Sequence, residues 1–555
     1  VGALIFDILY KNTAEMLWAQ AASSLVVLGL IIAIIPRLIN LFYVWFRPIK
    51  SRRIIEIKGF FLYGFGIVSA IFNAFVHSRD AYAMVPANVT LSVITVILIS
   101  LHYLLQSKNS NNLEDKKEKK MKILFKSTLC VLLSTALFGC SREAVVDPKL
   151  QYGADPELPE AKNYLVPPMK VPKGVGWQND QKPKVVEGLK IEKIADKLMH
   201  PRQLYTLPNG DILVVESNGP GIAPVLTPKQ LIASKVKGLS GKGGKGGNRI
   251  TLLRPSANGE WQQHIFLENL YSPFGVQLIG NALYVANTNN ITRYNYQDGA
   301  TSIRGAGEVF ADLPDTINHH WTKSLVASND GTKLYVGVGS NSNIGEYGLA
   351  VEYRRAAVLE VDAVTGASRI YASGLRNPTG LQIEPKTNQL FAIVNERDEI
   401  GGSLVPDYLT SVQEKGFYGW PYSYFGQHVD TRVHQQRPDL VKKAIKPDYS
   451  LGSHVAPLGL WFTTANINLG NQFKDGAFVS NHGSWNRNPL NGYNVVFIPF
   501  VNGKPTGTPV PLVTGFYSED QANLYGAPVG LTEDKTGALI IADDVGNTIW
   551  RVSPQ

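Results

Sequence analysis

Apolar runs too long for an ordinary globular helix fill the start of the chain, and then the pattern changes. Ala22–Phe46, Phe60–Val76 and Val89–Leu105 carry almost no charge, and about 20 apolar residues in a helix cross a bilayer. The first run contains Pro36 and Arg37 and is the least regular. Val1–Tyr10 is apolar too and reads as the end of an earlier helix, so the natural N-terminus is expected upstream. The pattern predicts an all-α transmembrane segment over residues 1–120, with about three spans. Its four-helix layout is similar to membrane domains of unknown function, and it suggests no chemistry.

A different apolar stretch follows at 121–140. Met121-Lys122-Ile123-Leu124-Phe125-Lys126 is a basic start, Leu129–Phe138 an apolar core, and Gly139-Cys140-Ser141 a small-residue end. That is a signal-peptide layout. Leu137-Phe138-Gly139-Cys140 resembles the lipobox of bacterial lipoproteins, in which Cys140 is acylated and Met121 is a true start. The competing reading is an uncleaved signal anchor within one long protein. Residues 141–185 hold Pro148, Pro156, Pro159, Pro167, Pro168, Pro172 and Pro183 with no sustained periodicity, which predicts an extended, semi-rigid linker.

From residue 186 a new period appears. A short strand led by Pro-x-Gly or a close variant is followed by an Asn/Asp-Gly type turn and a second alternating strand. The heads are His200-Pro201-Arg202, Ser272-Pro273-Phe274, His320-Trp321-Thr322, Asn377-Pro378-Thr379, Ala456-Pro457-Leu458 and Ala527-Pro528-Val529. Repeats too small to bury their own cores must stack or close radially. Short alternating strands with tight turns select an all-β six-bladed β-propeller over 186–555. In a propeller the inner strands start at one face of the central channel, so the six heads are expected to converge there.

Charge and cysteine content narrow the chemistry. Residues 1–122 carry a balance of +7 and the rest only +2, so the basic character belongs to the helical part and does not suggest nucleic-acid binding. Arg47, Lys50, Arg52, Arg53 and Lys58 crowd one loop and Lys116-Lys117-Glu118-Lys119-Lys120 another. By the positive-inside rule both are cytoplasmic and the propeller is extracytoplasmic or periplasmic. The only cysteines are Cys130 and Cys140, so the large domain has no disulfide, thiolate metal site or catalytic thiol. No C-x-x-C-H haem attachment occurs. Gly241-Lys242-Gly243-Gly244-Lys245-Gly246-Gly247 lacks the P-loop pattern and reads as a flexible loop.

Three stretches carry specific chemistry. His320 heads the third repeat, next to His319. Gly374-Leu375-Arg376-Asn377-Pro378-Thr379-Gly380-Leu381 heads the fourth. Asn395-Glu396-Arg397-Asp398-Glu399 is followed by Asp407-Tyr408 and, eleven residues after Asp407, by Tyr418-Gly419-Trp420-Pro421. Together they resemble the soluble sugar dehydrogenases that depend on pyrroloquinoline quinone (PQQ), most closely the sorbosone dehydrogenase-like branch, over nearly the whole propeller. The resemblance implies that His320 is the general base, since an imidazole titrating near neutrality suits removal of a hydroxyl proton. It implies that Arg376 and Asn377 meet PQQ, a planar quinone with three carboxylates, and that Arg376 stabilises charge developing on the reduced ring. The backbone carbonyls of Glu396 and Arg397 fall where the family holds a catalytic Ca²⁺, although the glucose-oxidising branch has Gly-Pro there. Asp407 and Tyr418 fall where it holds a second, structural Ca²⁺. His454, Arg487 and Arg202 are further cofactor-contact candidates. The implied activity is oxidation of aldoses or sugar-derived aldehydes, with electrons passed to a separate carrier, a cytochrome or a quinone. A calcium-dependent hydrolytic propeller and a cofactor-free binding propeller are the alternatives. Neither needs basic groups arranged around a tricarboxylate.

Overall fold

The computed structural model describes residues 1–46, 53–79, 81–111, 146–162, 169–220, 235, 238–256 and 258–555. The basic loop near residue 50, the lysine run and the whole of 121–140, with Cys140, lie outside these residues. The chain divides after Ala144 into a helical unit and a β unit.

In the helical unit α1 (Gly2–Thr13), α2 (Met16–Trp45), α3 (Arg53–Val76) and α4 (Ala87–Asn111) follow one another. Leu17–Ile39, Ile54–Val76 and Ala87–Leu105 are long and apolar enough to cross a membrane. α1 packs on α2 and α4, and α3 packs along α4. One polar cluster is buried among these helices. The Asp7 carboxylate accepts from Ser92 Oγ at 2.5 Å and Asn88 Nδ2 at 3.0 Å, and lies 2.7 Å from His77 Nε2. Buried charge needs such partners, and the cluster ties α1 to α3 and α4.

The β unit is the expected six-bladed propeller. Its inner strands are Pro201–Thr206, Gly275–Ile279, Lys323–Ala327, Pro378–Ile383, Pro457–Phe462 and Pro528–Glu533, each in the repeat whose head the sequence marks. Blade 6 is closed by Leu189–Ala195, which pairs antiparallel with Thr548–Pro554, so the first strand of the repeat region completes the last blade. In every blade the head of the inner strand faces the tail of the second. Pro201 pairs with Glu216, Gly275 with Ala286, Lys323 with Val338, Pro378 with Val394, Pro457 with Asn481 and Pro528 with Asp543. Two rings of residues therefore border one mouth.

Contacts between inner strands explain the Pro-x-Gly pattern. A Cβ on Gly459 would stand 2.0 Å from Val529 O, and one on Gly530 2.3 Å from Arg202 O. Only glycine lets the backbones come this close. Hydroxyls complete the seam. Ser217 Oγ donates to Pro273 O at 2.5 Å, Ser324 Oγ to Pro378 O at 3.2 Å and Thr379 Oγ1 to Pro457 O at 2.6 Å, while Ser480 Oγ donates to Val529 O. Each of these bonds links one blade to a backbone carbonyl at the head of the next blade's inner strand.

The Pro-rich stretch differs from the linker the sequence suggests. Tyr152–Gly153 adds to the edge of blade 4, Lys184–Val185 to the edge of blade 5, and Lys173–Gly174 pairs with Asn523–Leu524. Trp177 packs on Phe516, Tyr525 and Trp550. The segment is a strap on the propeller. Prolines cannot donate to a ladder, so its pairing comes in two-residue pieces and leaves no periodicity to read.

Candidate functional site

The mouth gathers side chains from both rings. His320 stands just before the inner strand of blade 3, with Nδ1 2.8 Å from Ser340 O and 3.1 Å from Ser340 Oγ. Ser340 Oγ itself donates to Ser342 O at 2.5 Å. Both contacts ask Nδ1 to carry the proton, which leaves the Nε2 lone pair for another partner. Burial, then the nearby Arg376 charge, hold the His320 pKa well below its ordinary value. The imidazole is thus a neutral base through neutrality and does not titrate there, as the sequence suggests it would. His319 is exposed and its ring meets His320 edge-on.

Arg376 is buried and its five N–H groups all find protein acceptors. Nε donates to Asn343 O at 3.1 Å and Nη2 to Asn343 Oδ1 at 2.8 Å. Nη1 donates to Glu396 O at 2.6 Å and Asn395 O at 3.4 Å, and Nη2 also reaches Asp398 at 3.4 Å. The sequence expectation of a guanidinium presented to a ligand is corrected here. Arg376 organises the tails of blades 3 and 4 from below. Its neighbour Asn377 does present an atom. Asn377 Oδ1 is buried without a hydrogen-bond partner. It lies 2.2 Å, and His320 Cβ 2.5 Å, from the point a Cβ on Gly339 would occupy. Gly339 is what lets these two residues share the mouth.

A basic cluster occupies the side formed by blades 1, 5 and 6. Arg202 Nη1 is paired with Asp544, and its guanidinium lies 5.4 Å over the Trp321 ring, which Phe274 meets edge-on. His482 Nε2 meets Asp544 Oδ1 at 2.9 Å. Lys242 extends into the cluster, donating to Tyr493 OH at 3.1 Å and to His482 O and Gly483 O at 3.3 Å. Burial pulls Lys242 down to about 8 and His482 down to about 4. Asp544 is held well below the usual carboxylate range, its burial outweighed by His482 and Arg202.

The opposite side is more polar. Asp398 Oδ1 accepts from Asn486 Nδ2 at 2.7 Å and lies 3.5 Å from His454 Nδ1, while His454 Nε2 donates to Gly401 O and Leu404 O. Burial alone would lower the His454 pKa, but Asp398 raises it overall. Arg487 turns instead toward Gln151 of the strap and Ser453 O.

The expected calcium ligands are dispersed. Asp407 caps Glu396 N at 2.7 Å and Ala456 N at 2.8 Å, and burial pushes its carboxyl up to about 7. Tyr418 OH donates to Ser411 O at 2.5 Å. Asp407 and Ser411 mark opposite ends of the strand Pro406–Ser411, so the two side chains do not meet. The Glu396 carbonyl is taken by Arg376. The Arg397 side chain is fully buried against Glu396, Asp430, Pro421 O and Ser423 O. Among the described residues no three His, Cys, Asp or Glu side chains gather as metal ligands.

Sequence reasoning missed Lys242, Asp544 and Asn343. Asp544 follows the second strand of its repeat, as Asn395 and His482 follow theirs. Lys242 comes from the glycine-rich loop, where Gly246 and Gly247 lie against the backbone of Ser217 and the side chain of Glu216.

Known proteins share this architecture. Residues 198–482 match the family described as glucose / sorbosone dehydrogenase, and residues 425–555 match the TrAA12-like family. An uncharacterised protein of Borreliella burgdorferi is 27% identical over 296 residues, 51% of this chain and 76% of that protein. A pyrroloquinoline quinone-dependent pyranose dehydrogenase of Coprinopsis cinerea is 26% identical over 225 residues, 33% of this chain and 30% of its own length. Among solved structures, a Trichoderma reesei carbohydrate-active enzyme of family AA12 covers 68% of this chain and is itself wholly covered, at 18% identity and a TM-score of 0.55. The PQQ domain of the Coprinopsis cinerea pyranose dehydrogenase covers 69%, also wholly covered, at 20% identity and a TM-score of 0.53. With the family match spanning more than half of the chain, and with the propeller fold these structures share, the chain belongs to the glucose/sorbosone dehydrogenase family.

Proposed function

We propose that the propeller mouth holds PQQ and Ca²⁺ and oxidises aldoses or sugar-derived aldehydes of the sorbosone type, with His320 as general base. The observation that carries this reading is the fixed tautomer of His320. Its Nδ1 proton is committed to Ser340, and its Nε2 lone pair is the group in the mouth suited to take a hydroxyl proton.

The residues present fit both groups. Arg202 and Lys242 place two cations beside a single carboxylate, Asp544, which suits a ligand bearing several carboxylates. They would hold PQQ, with Trp321, backed by the buried Phe274, as the apolar wall against its planar ring. Buried acceptors without donors, Asn377 Oδ1 and Asn395 Oδ1, together with the Asp398 carboxylate, are the hard oxygens Ca²⁺ takes. With the Glu396 carbonyl committed to Arg376, the ion would draw on these in its place. When bound, the quinone supplies the two-electron acceptor and Ca²⁺ its polarisation.

The chain's own part is then specific. Ser340 holds the imidazole ring, and His320 Nε2 receives the hydroxyl proton of the substrate. Arg376 keeps Asn343, Glu396 and Asp398 in register, and Trp321 with Phe274 keeps water from the reacting carbon. His320→Ala should lower turnover by ~10²–10⁴-fold, the usual share of a general base, while an absorbance titration with PQQ still saturates at the wild-type ratio. Near-wild-type turnover in His320→Ala would remove the mechanism, and loss of PQQ binding would make His320 a cofactor contact instead of the base.

A further inference from the structure

The geometry points to a second saccharide subsite, a cleft between blades 1 and 2 that binds a sugar unit of a linear oligosaccharide whose end occupies the mouth. This rests on the sugar-oxidising reading above and extends it to the substrate class. The cleft encloses about 670 Å³ and is walled by Tyr271, Tyr294, Asn287, Asn289, Asn290 and Thr292. A cavity of this size suits a small organic ligand.

The lining chemistry selects that ligand. Asn287 is 5% exposed. Its Nδ2 donates to Asn290 Oδ1 and Thr292 Oγ1, both at 3.0 Å, and Thr292 Oγ1 donates to Asn290 Oδ1 at 2.9 Å. In this arrangement the amide nitrogen of Asn287 is the end engaged by Asn290 and Thr292. Asn287 Oδ1 then stands buried with no partner, and so does Asn289 Oδ1 two residues on. Two buried acceptors in one turn cost free energy until something donates to them. Hydroxyls can donate to these oxygens, and Glu268 and Arg304, which also line the cleft, add one charge of each sign that hydroxyls can meet as donor and as acceptor. Tyr271 and Tyr294 supply rings for the apolar face of a pyranose. The Tyr294 ring is accommodated because residue 307 is glycine, whose Cβ would lie 2.6 Å from it. Tyr271 is 46% exposed, yet its backbone is pinned, with Thr288 N donating to Tyr271 O at 3.1 Å and Thr288 Oγ1 to Ser272 O at 3.2 Å.

The cleft and the mouth are close along the chain. Only Ser272 and Pro273 separate Tyr271 from Phe274, a reach of at most roughly 10 Å, and Phe274 packs edge-on against Trp321 beside His320. A chain of two or three sugar units would span from one to the other.

The test is isothermal titration of the full chain, without added PQQ, with cellotriose and with maltotriose. Wild type should bind one of the two. Tyr271→Ala, at an exposed position, should weaken that binding about tenfold or more, and Asn289→Ala should weaken it further. PQQ titration should be unchanged in both variants. If neither trisaccharide binds, or if Tyr271→Ala binds as wild type does, the subsite is refuted. Because binding is read without cofactor, trisaccharide affinity in a chain that fails to take up PQQ would uphold the subsite and sink only the dehydrogenase reading. PQQ-dependent turnover with no trisaccharide binding would do the reverse.

Discussion

His320 Nδ1 faces a carbonyl oxygen, which can only accept, and that contact leaves Nε2 as the ring nitrogen with a free lone pair. The surroundings set its protonation state. Burial and the Arg376 charge both disfavour the imidazolium, so the base form is already complete at neutral pH. For a base whose pKa is lowered, turnover rises with pH only across the lowered value and is flat above it. The kcat profile should therefore show no His320 step through neutrality, and its fall should come well on the acid side. A step near pH 6.5–7, the ordinary imidazole range, that disappears in His320→Ala would contradict the placement of Arg376 and the burial together. At this scale the sequence reached half of the mouth. His320, Asn377 and Arg202 stand at strand heads, and the repeat pattern marks heads. Asp544 stands just past a second-strand tail, which no Pro-x-Gly announces. Lys242 arrives from a glycine-rich loop whose course depends on tertiary packing.

Among the elements, the inner strands were legible because each joins a turn to a short apolar run, and four of the six carry a glycine near the head. Those glycines are needed where backbones touch, as at Gly459 and Gly530. The strap was not legible. Two-residue pairings between prolines carry no period, and its anchors are single side chains. Trp177 is the chief anchor, donating Nε1–H to Asp543 at 2.6 Å while its ring packs on three aromatics. Burying a Trp completely is worth ~3–5 kcal/mol on truncation, and Trp177 is only partly buried, so Trp177→Ala should cost about 2 kcal/mol. Urea unfolding should show a lower midpoint at an unchanged slope. An unchanged midpoint would mean the strap lies on the propeller without stabilising it.

On the scale of the whole molecule, three apolar helices precede an enzyme fold, and the sequence places basic loops on one side of them. We infer that the propeller faces outward, as the positive-inside rule requires. It should be cleaved by protease added to spheroplasts, and protection until the inner membrane is lysed would reverse the orientation. Cys140→Ala should release or misprocess the protein if the lipobox is used, whereas unchanged retention and size would favour the uncleaved anchor. Fold class, blade number and the helical segment could be read from the sequence pattern, because the apolar runs are long and the strand–turn–strand unit recurs six times despite inserts of unequal length. The metal ligands could not, since they depend on which backbone and amide oxygens other residues leave unpaired. The central claim is tested most directly by dye-linked turnover of the purified chain on a panel of aldoses and sorbosone, with PQQ and Ca²⁺ supplied together, singly and not at all. Turnover of at least one sugar only when both are present, abolished by chelator and restored by Ca²⁺, is the predicted result. Turnover that is independent of PQQ, or its absence on every sugar in a chain shown to have bound both, would contradict the account.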